Sequence, residues 1–271
     1  MKKTLSIALI VCLILGCTGF FFQPSKEFIE NPYLKGISSE DVYFKTPDGL
    51  TLHSWLLMPE GKSEGFILYL HGNAENISTQ IGNVLWLVRE GFTVFAFDYR
   101  GYGKSEGSPE IKGLHIDAMT ALEKAVSLTN EEDVIVLGQS LGGAISVYTV
   151  ANSPFLKNVR AVVIDSAFSS YRAIAKEKAS ELALTWPFQH IVALSVNDDY
   201  SPVRWIDKLS PVPLLIIHGK KDPVVPLKHS LILFEKAGEP KDLWITESDG
   251  HIMSFLEKPI RKRLTDYLRL R

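Results

Sequence analysis

Residues 134–145 read Val-Ile-Val-Leu-Gly138-Gln139-Ser140-Leu141-Gly142-Gly143-Ala-Ile. The apolar run, rich in β-branched residues, predicts a buried strand, and the spacing of Ala144, Ile145, Val147 and Tyr148 predicts a helix directly after it. A serine on such a turn is placed for nucleophilic attack. The turn strains the serine backbone, and the glycines two positions to either side let strand and helix approach closely. The hydroxyl then stands clear of the sheet edge, and the next N–H, that of Leu141, points to where an oxyanion would form. The bare Gly-x-Ser-x-Gly pattern arises by chance in about one chain in ten of this length. Its position between a strand and a helix is what gives it weight.

A serine hydroxyl is too weak an acid to attack an acyl carbon unaided. It needs an imidazole to take its proton and a carboxylate to orient that imidazole. Both candidates follow apolar strand-like runs. Asp222 follows Leu214-Leu-Ile-Ile-His218, in Gly219-Lys-Lys-Asp222-Pro-Val-Val-Pro226, and His251 follows Asp242-Leu-Trp-Ile-Thr246, in Ser248-Asp-Gly-His251. The chain order is therefore Ser140, Asp222, His251. Asp165 also ends an apolar run and competes for the role of acid, with Asp222 preferred. Asp249 is too near His251 in the chain to orient it, because the geometry needs a separate loop.

The other polar residues have plainer expected roles. His71 ends a strand and is expected to brace the loop after it, and His218 to pack beside the Asp222 loop. His53, His115, His190 and His229 stand in no motif, and Asp98 and Arg100 are expected to pin a loop. Gly103-Lys104-Ser105 hints at a phosphate loop, but the glycine required five positions before Gly103 is Asp98. No cluster has metal-ligand spacing. No cofactor is expected.

Strands and helices must hold these groups. Residues 41–46 and 50–58 alternate around Pro47-Asp48-Gly49 and predict an opening hairpin. Near-continuous apolar runs at 65–71, 92–98, 134–137, 161–165, 214–218 and 242–246 predict strands buried on both faces, as in a parallel sheet. Helical patterns at 77–89 and 111–128, after the serine, and at 254–270 predict right-handed crossovers and a doubly wound α/β sheet. The rhythm breaks from Phe168 to about Ile206, which is where a small cap would sit above the serine. Trp186, Phe188, Ile191 and Leu194 in that stretch suggest a lipophilic acyl group as ligand.

The N-terminus is of another kind. Met1-Lys2-Lys3 followed by the apolar Leu5–Leu15 has the proportions of a secretory signal, too short to span a bilayer comfortably. It ends in Ile14-Leu15-Gly16-Cys17, which resembles the bacterial lipobox. That resemblance implies a signal at 1–16, a lipidated Cys17 and a membrane-anchored protein of the bacterial cell envelope, with the choice of membrane open. An uncleaved anchor helix is the competing reading. Residues 17–38 are expected to form a tether, and 39–271 the folded domain. The two cysteines, Cys12 and Cys17, both lie in the N-terminal segment, so no disulfide is expected in the domain. A net charge of −2 gives no basic footprint for nucleic acid.

From about Asp41 onward the chain resembles the α/β-hydrolases, closest to the serine-aminopeptidase-like branch that includes the ABHD-type serine hydrolases. Five motifs in family order carry the resemblance. They are His71-Gly-Asn-Ala-Glu-Asn76, Asp98-Tyr-Arg-Gly-Tyr-Gly-Lys-Ser105, Gly138-Gln-Ser-Leu-Gly-Gly143, Gly219-Lys-Lys-Asp-Pro-Val-Val-Pro226 and Asp249-Gly-His251. It implies an eight-stranded, mostly parallel sheet with a small helical cap at about 168–206. It also implies a second oxyanion donor, the N–H of Asn73, beside that of Leu141. The expected activity is hydrolysis of a small acyl substrate, an ester, thioester or amide, with a carboxylesterase-like reaction foremost. A silent binding module on the same scaffold, and an acyltransferase using the same triad, remain as alternatives.

Overall fold

The computed structural model describes residues 21–29, 34, 36–129, 133–181, 183, 185–248 and 250–270. Cys17, the expected signal segment and Asp249 lie outside the described residues. Eight strands form the main sheet: β1 (Ser38–Lys45), β2 (Thr51–Met58), β3 (Phe66–Leu70), β4 (Thr93–Phe97), β5 (Val134–Gln139), β6 (Val159–Asp165), β7 (Leu214–Gly219) and β8 (Lys241–Thr246). Their spatial order is β8-β7-β6-β5-β3-β4-β2-β1. The hairpin β1–β2 and the β2–β4 pair are antiparallel, and the remaining pairs are parallel. This is the doubly wound sheet that the apolar runs predict, with the eight mostly parallel strands that the resemblance to the α/β-hydrolases implies.

Those runs are continuous because both faces of the sheet are covered. On one face Leu68, Leu70, Phe95, Phe97, Val136 and Ile164 join a core with helices α3 (Ile111–Leu128), α4 (Leu141–Asn152) and α7 (Lys228–Lys236). On the other, Ile67, Tyr69, Val94, Ala96, Leu137 and Val163 meet α1 (Ile77–Gln80), α2 (Leu85–Arg89) and α8 (Lys258–Leu270). Alternate residues of each strand point to opposite faces, so neither face can be polar. Where one helix was expected over 77–89, a 3-10 turn at Ile81–Asn83 separates α1 from α2. Gly82 and Asn83 sit there, and both are poor helix formers. The last helix starts at Lys258 rather than 254, because Pro259 suits only a first turn.

The cap between β6 and β7 consists of α5 (Tyr171–Glu181), a 3-10 turn (Trp186–Phe188) and α6 (Gln189–Ser195). No helix among the described residues is long and apolar enough to cross a membrane.

Of the tether expected over 17–38, residues 21–28 pack on the domain. Gln23–Pro24 pairs in parallel with Ala74–Glu75. The carbonyl of Ser25 accepts from the N–H of Gly103 (2.9 Å) and from Asn76 Nδ2 (3.0 Å), and that of Glu27 accepts from Asn76 Nδ2 (2.7 Å). Phe22 is buried, and Phe28 packs edge-on against His53 and Trp55. Prolines and polar side chains suggested a spacer. The backbone groups of this strap are instead satisfied by loops that the sheet presents, which polarity along the chain does not reveal.

Candidate active site

Ser140 occupies the turn between β5 and α4 with φ 53° and ψ −115°, a region that costs a non-glycine residue about 1–3 kcal/mol. The surrounding backbone holds it there. A Cβ on Gly142 would meet the carbonyl oxygen of Leu70 at 2.1 Å, and one on Gly138 would meet that of Gly142 at 2.4 Å. The two glycines are therefore required by close backbone approach. Gln139, between Gly138 and Ser140, is buried, donates to Asp165 Oδ2 (2.9 Å) and accepts from the Tyr69 hydroxyl (2.7 Å). No motif in the chain signals that role.

The neighbouring strands bring the other groups to the same edge. β3 lies beside β5 in the register Leu70↔Gly138, so the loop after β3 runs next to the serine. A Cβ on Gly72 would lie 3.7 Å from Ser140 Cβ. Among the described residues the N–H groups of Asn73 and Leu141 make no backbone hydrogen bond outside helices and strands, and Leu141 is the first residue of α4. Asn73 is held from two sides. Tyr102 donates its hydroxyl to the Asn73 carbonyl (2.9 Å) and Oδ1 (3.1 Å), while Asn73 Nδ2 donates to the carbonyl of Phe21 (2.8 Å). His71 is buried, which lowers its pKa and favours the neutral ring, and its Nδ1–H donates to the Gly72 carbonyl (2.7 Å).

Asp222 and His251 come from the loops after β7 and β8, adjacent parallel strands paired Gly219↔Thr246. The Nδ1 atom of His251 lies 2.8 Å from Asp222 Oδ2, and its Nε2 lies 2.8 Å from Ser140 Oγ. The other carboxylate oxygen of Asp222 accepts from the N–H groups of Val224 (2.8 Å) and Val225 (3.0 Å). Burial works against charge on this carboxyl, but the hydrogen bond and charge of His251, with the two amides, outweigh it and set the pKa below the usual aspartate value. An ionised Asp222 fixes the proton of His251 on Nδ1 and leaves Nε2 free to accept the serine proton. His218 supports the loop from beneath, donating Nε2–H to the Val225 carbonyl (2.8 Å) and accepting from Ser230 Oγ (2.6 Å).

Asp165, the competing acid, does not reach the imidazole by hydrogen bond. Its buried carboxyl accepts from Gln139, Ser166 (3.3 Å) and Ser254 (3.3 Å), and burial pushes its pKa up to about 6. Through Ser254 it holds the loop that carries His251, where Ile252 adopts φ 53°. Asp98 accepts from the N–H of Ile77 (2.8 Å), and Arg100 pairs with Asp117 (2.8 Å) and Asp48 (2.9 Å), pinning loops as expected. His115 is buried and stacked on Tyr200, and burial lowers its pKa to about 3. His229 ties the cap down, with Nδ1 on Ser169 Oγ (2.8 Å) and Nε2 on Glu177 (3.1 Å). Among the described residues no group of three or more His, Cys, Asp or Glu is placed to hold a metal ion.

A cavity of about 600 Å³ opens on Ser140 and His251. Its apolar wall comes from the cap's inner side and the strap, through Phe21, Phe22, Phe168, Tyr171, Ile174 and Val192. This corrects the reading of the cap aromatics. Trp186, Phe188, Ile191 and Leu194 do not line the cavity and are 59%, 37%, 47% and 72% exposed. In an apolar run such as Ile191-Val-Ala-Leu194, sequence alone does not separate the inner face of a short helix from its outer one.

The Hydrolase_4 pattern, described as serine aminopeptidase, S33, matches residues 61–209, spanning the Asn73 loop, the serine turn and the cap. YfhR of Escherichia coli strain K12 is 33% identical over 258 residues, covering 92% of this chain and 86% of that protein. Protein bem46 of Schizosaccharomyces pombe is 30% identical over 228 residues, covering 82% and 73%. An esterase structure from Pyrococcus furiosus, Pf2001, superposes with a TM-score of 0.74 at 20% identity, over 91% of this chain and 98% of that one, and shares the fold. Match length and identity together make this chain a member of the serine aminopeptidase S33 (Hydrolase_4) family of α/β-hydrolases.

Proposed function

We propose that this hydrolase is a serine esterase acting through an acyl-enzyme. The observation that carries the reading is the continuous hydrogen-bonded relay Ser140–His251–Asp222, facing an apolar cavity. Ser140 Oγ attacks the ester carbonyl carbon while its proton passes to His251 Nε2. The new C–O bond turns the carbonyl oxygen into an oxyanion, held by the N–H groups of Asn73 and Leu141. Collapse breaks the bond to the alkoxy group, which leaves as the alcohol with the proton from His251. Water then gives a proton to His251 and attacks the acyl carbon, and breaking the bond to Ser140 returns the serine and releases the acid. Each oxyanion donor is worth about 10²–10³ in turnover.

The apolar wall favours a lipophilic acyl group, and esters stand ahead of thioesters and amides as the expected substrates. A fluorophosphonate probe should label the folded protein, and Ser140→Ala should abolish labelling. Failure to label folded wild-type protein would favour a non-catalytic binding role. Hydrolysis of p-nitrophenyl esters of graded length, beside thioesters and aminoacyl amides, ranks the substrate classes, and added alcohols reveal acyl transfer. We further propose that Cys17 is lipidated and anchors the protein in the bacterial envelope. Incorporation of labelled palmitate, lost in Cys17→Ser, tests this separately.

A further inference from the structure

The outer face of the cap carries exposed large apolar side chains. Residues 186–195, Trp-Pro-Phe-Gln-His-Ile-Val-Ala-Leu-Ser, contain no Asp, Glu, Lys or Arg. Trp186, Phe188, Ile191 and Leu194 stand out to solvent, while Val192 of the same helix turns inward to the cavity. Large apolar groups gathered on one uncharged face mark a surface that is covered in use. A tryptophan on the 3-10 turn, followed by exposed Ile191 and Leu194 on α6, suits the headgroup boundary of a bilayer.

The path of the chain bears on what covers it. Phe21 and Phe22 line the same cavity as the inner side of the cap, and Phe21 is tied to Asn73. Cys17 lies four residues before Phe21, and four extended residues reach about 14 Å at most. An acyl anchor on Cys17 therefore cannot carry the cavity far from the bilayer. The strap and the inner side of the cap share the wall of that cavity.

We propose that the face formed by Trp186, Phe188, Ile191 and Leu194 seats on the lipid bilayer, and that the cavity takes its acyl substrate directly from the membrane. The substrate class is then an ester of a membrane lipid rather than a freely dissolved short ester. The proposal rests on the esterase reading and on the anchoring of Cys17, and its test separates all three.

The full-length protein is reconstituted in phosphatidylcholine vesicles, beside a variant carrying Trp186→Ser, Phe188→Ser, Ile191→Ser and Leu194→Ser. Two substrates are compared: soluble p-nitrophenyl butyrate, and a long-chain monoacylglycerol held in the vesicles. The variant should keep its rate on the soluble ester, because none of the four side chains lines the cavity, and lose at least about tenfold on the embedded lipid. Brominated phosphatidylcholine should quench the fluorescence contributed by Trp186, measured against Trp186→Phe. Equal rates of wild type and variant on the embedded lipid, or no quenching of Trp186, overturn the proposal. The second result also points to a cover made of protein, such as this chain's own N-terminal segment or a second copy. A wild-type protein inactive on both substrates refutes the esterase reading instead. Cys17→Ser that stays bound to the vesicles and retains Trp186 quenching separates seating from anchoring.

Discussion

Replacing Asp222 by Asn is the sharpest test of the site, because the structure fixes how the amide must lie. Asp222 Oδ1 accepts two backbone N–H groups, from Val224 at 2.8 Å and Val225 at 3.0 Å. An asparagine there must turn its oxygen to those donors, since its NH₂ would meet them donor to donor. The NH₂ then takes the place of Oδ2, 2.8 Å from His251 Nδ1. To accept from it, His251 must move its proton to Nε2, the nitrogen that faces Ser140 Oγ at 2.8 Å. A protonated Nε2 cannot act as base. The expected loss in kcat is about 10⁴, or about 5.4 kcal/mol, with KM little changed. Stopped assays with p-nitrophenyl butyrate and the rate of fluorophosphonate labelling both report it, and circular dichroism melting shows whether the variant is folded. Asp165→Asn is the control: its oxygen can take the Gln139 donor and its NH₂ can face the hydroxyls of Ser166 and Ser254, so kcat should stay within about tenfold of wild type. A folded Asp222→Asn protein within about tenfold of wild-type kcat would refute the assigned relay.

Gly142→Ala should abolish labelling and lower Tm by several degrees in a thermal melt. Its Cβ would press on the carbonyl of Leu70 at 2.1 Å and of His71 at 2.6 Å, and overpacking against backbone costs about 1–3 kcal/mol. Tyr102→Phe removes the hydroxyl that holds the Asn73 carbonyl and side chain, and should lower kcat about two- to tenfold with labelling still detectable. Unchanged steady-state kinetics would show that this hydroxyl does not position the loop. For Asp165 the folded pKa of about 6 lies above the ordinary aspartate value of 3.8, so between the two the folded state holds a proton that the unfolded chain releases. Its contribution therefore favours the fold below about pH 4, declines between about pH 4 and 6, and is lost above about pH 6, a change of about 3 kcal/mol. In urea melts across that range, wild type should lose stability relative to Asp165→Asn as the pH rises.

Much of this protein could be read from the order of its residues. Apolar runs such as 66–70, 93–97 and 134–137 have no polar face to show to water, so they specify strands covered on both sides. The serine turn was legible because Gly138 answers to crowding by Gly142 within the motif itself, whereas the need for glycine at 142 comes from Leu70 and His71 on the adjacent strand and its loop. Strand ends announced Asp222 and His251, since a parallel sheet brings its carboxyl ends to one edge. What the chain order could not fix was adjacency. The placing of β5 between β3 and β6 sets the Asn73 loop beside Ser140, and it depends on pairings between residues tens of positions apart. The choice of Asp222 over Asp165 turned on which carboxyl lies within hydrogen-bond reach of His251. The strap from Phe21 to Phe28 looked like a spacer because its partners, at Asn73–Asn76 and Gly103, are far along the chain. Within the apolar run Ile191-Val-Ala-Leu194 of α6 the inner and outer positions were indistinguishable, and only packing against the cavity turned Val192 inward and left Leu194 in water. Local crowding and hydrophobic pattern are properties of neighbours in sequence. Proton relays and surfaces are properties of neighbours in space.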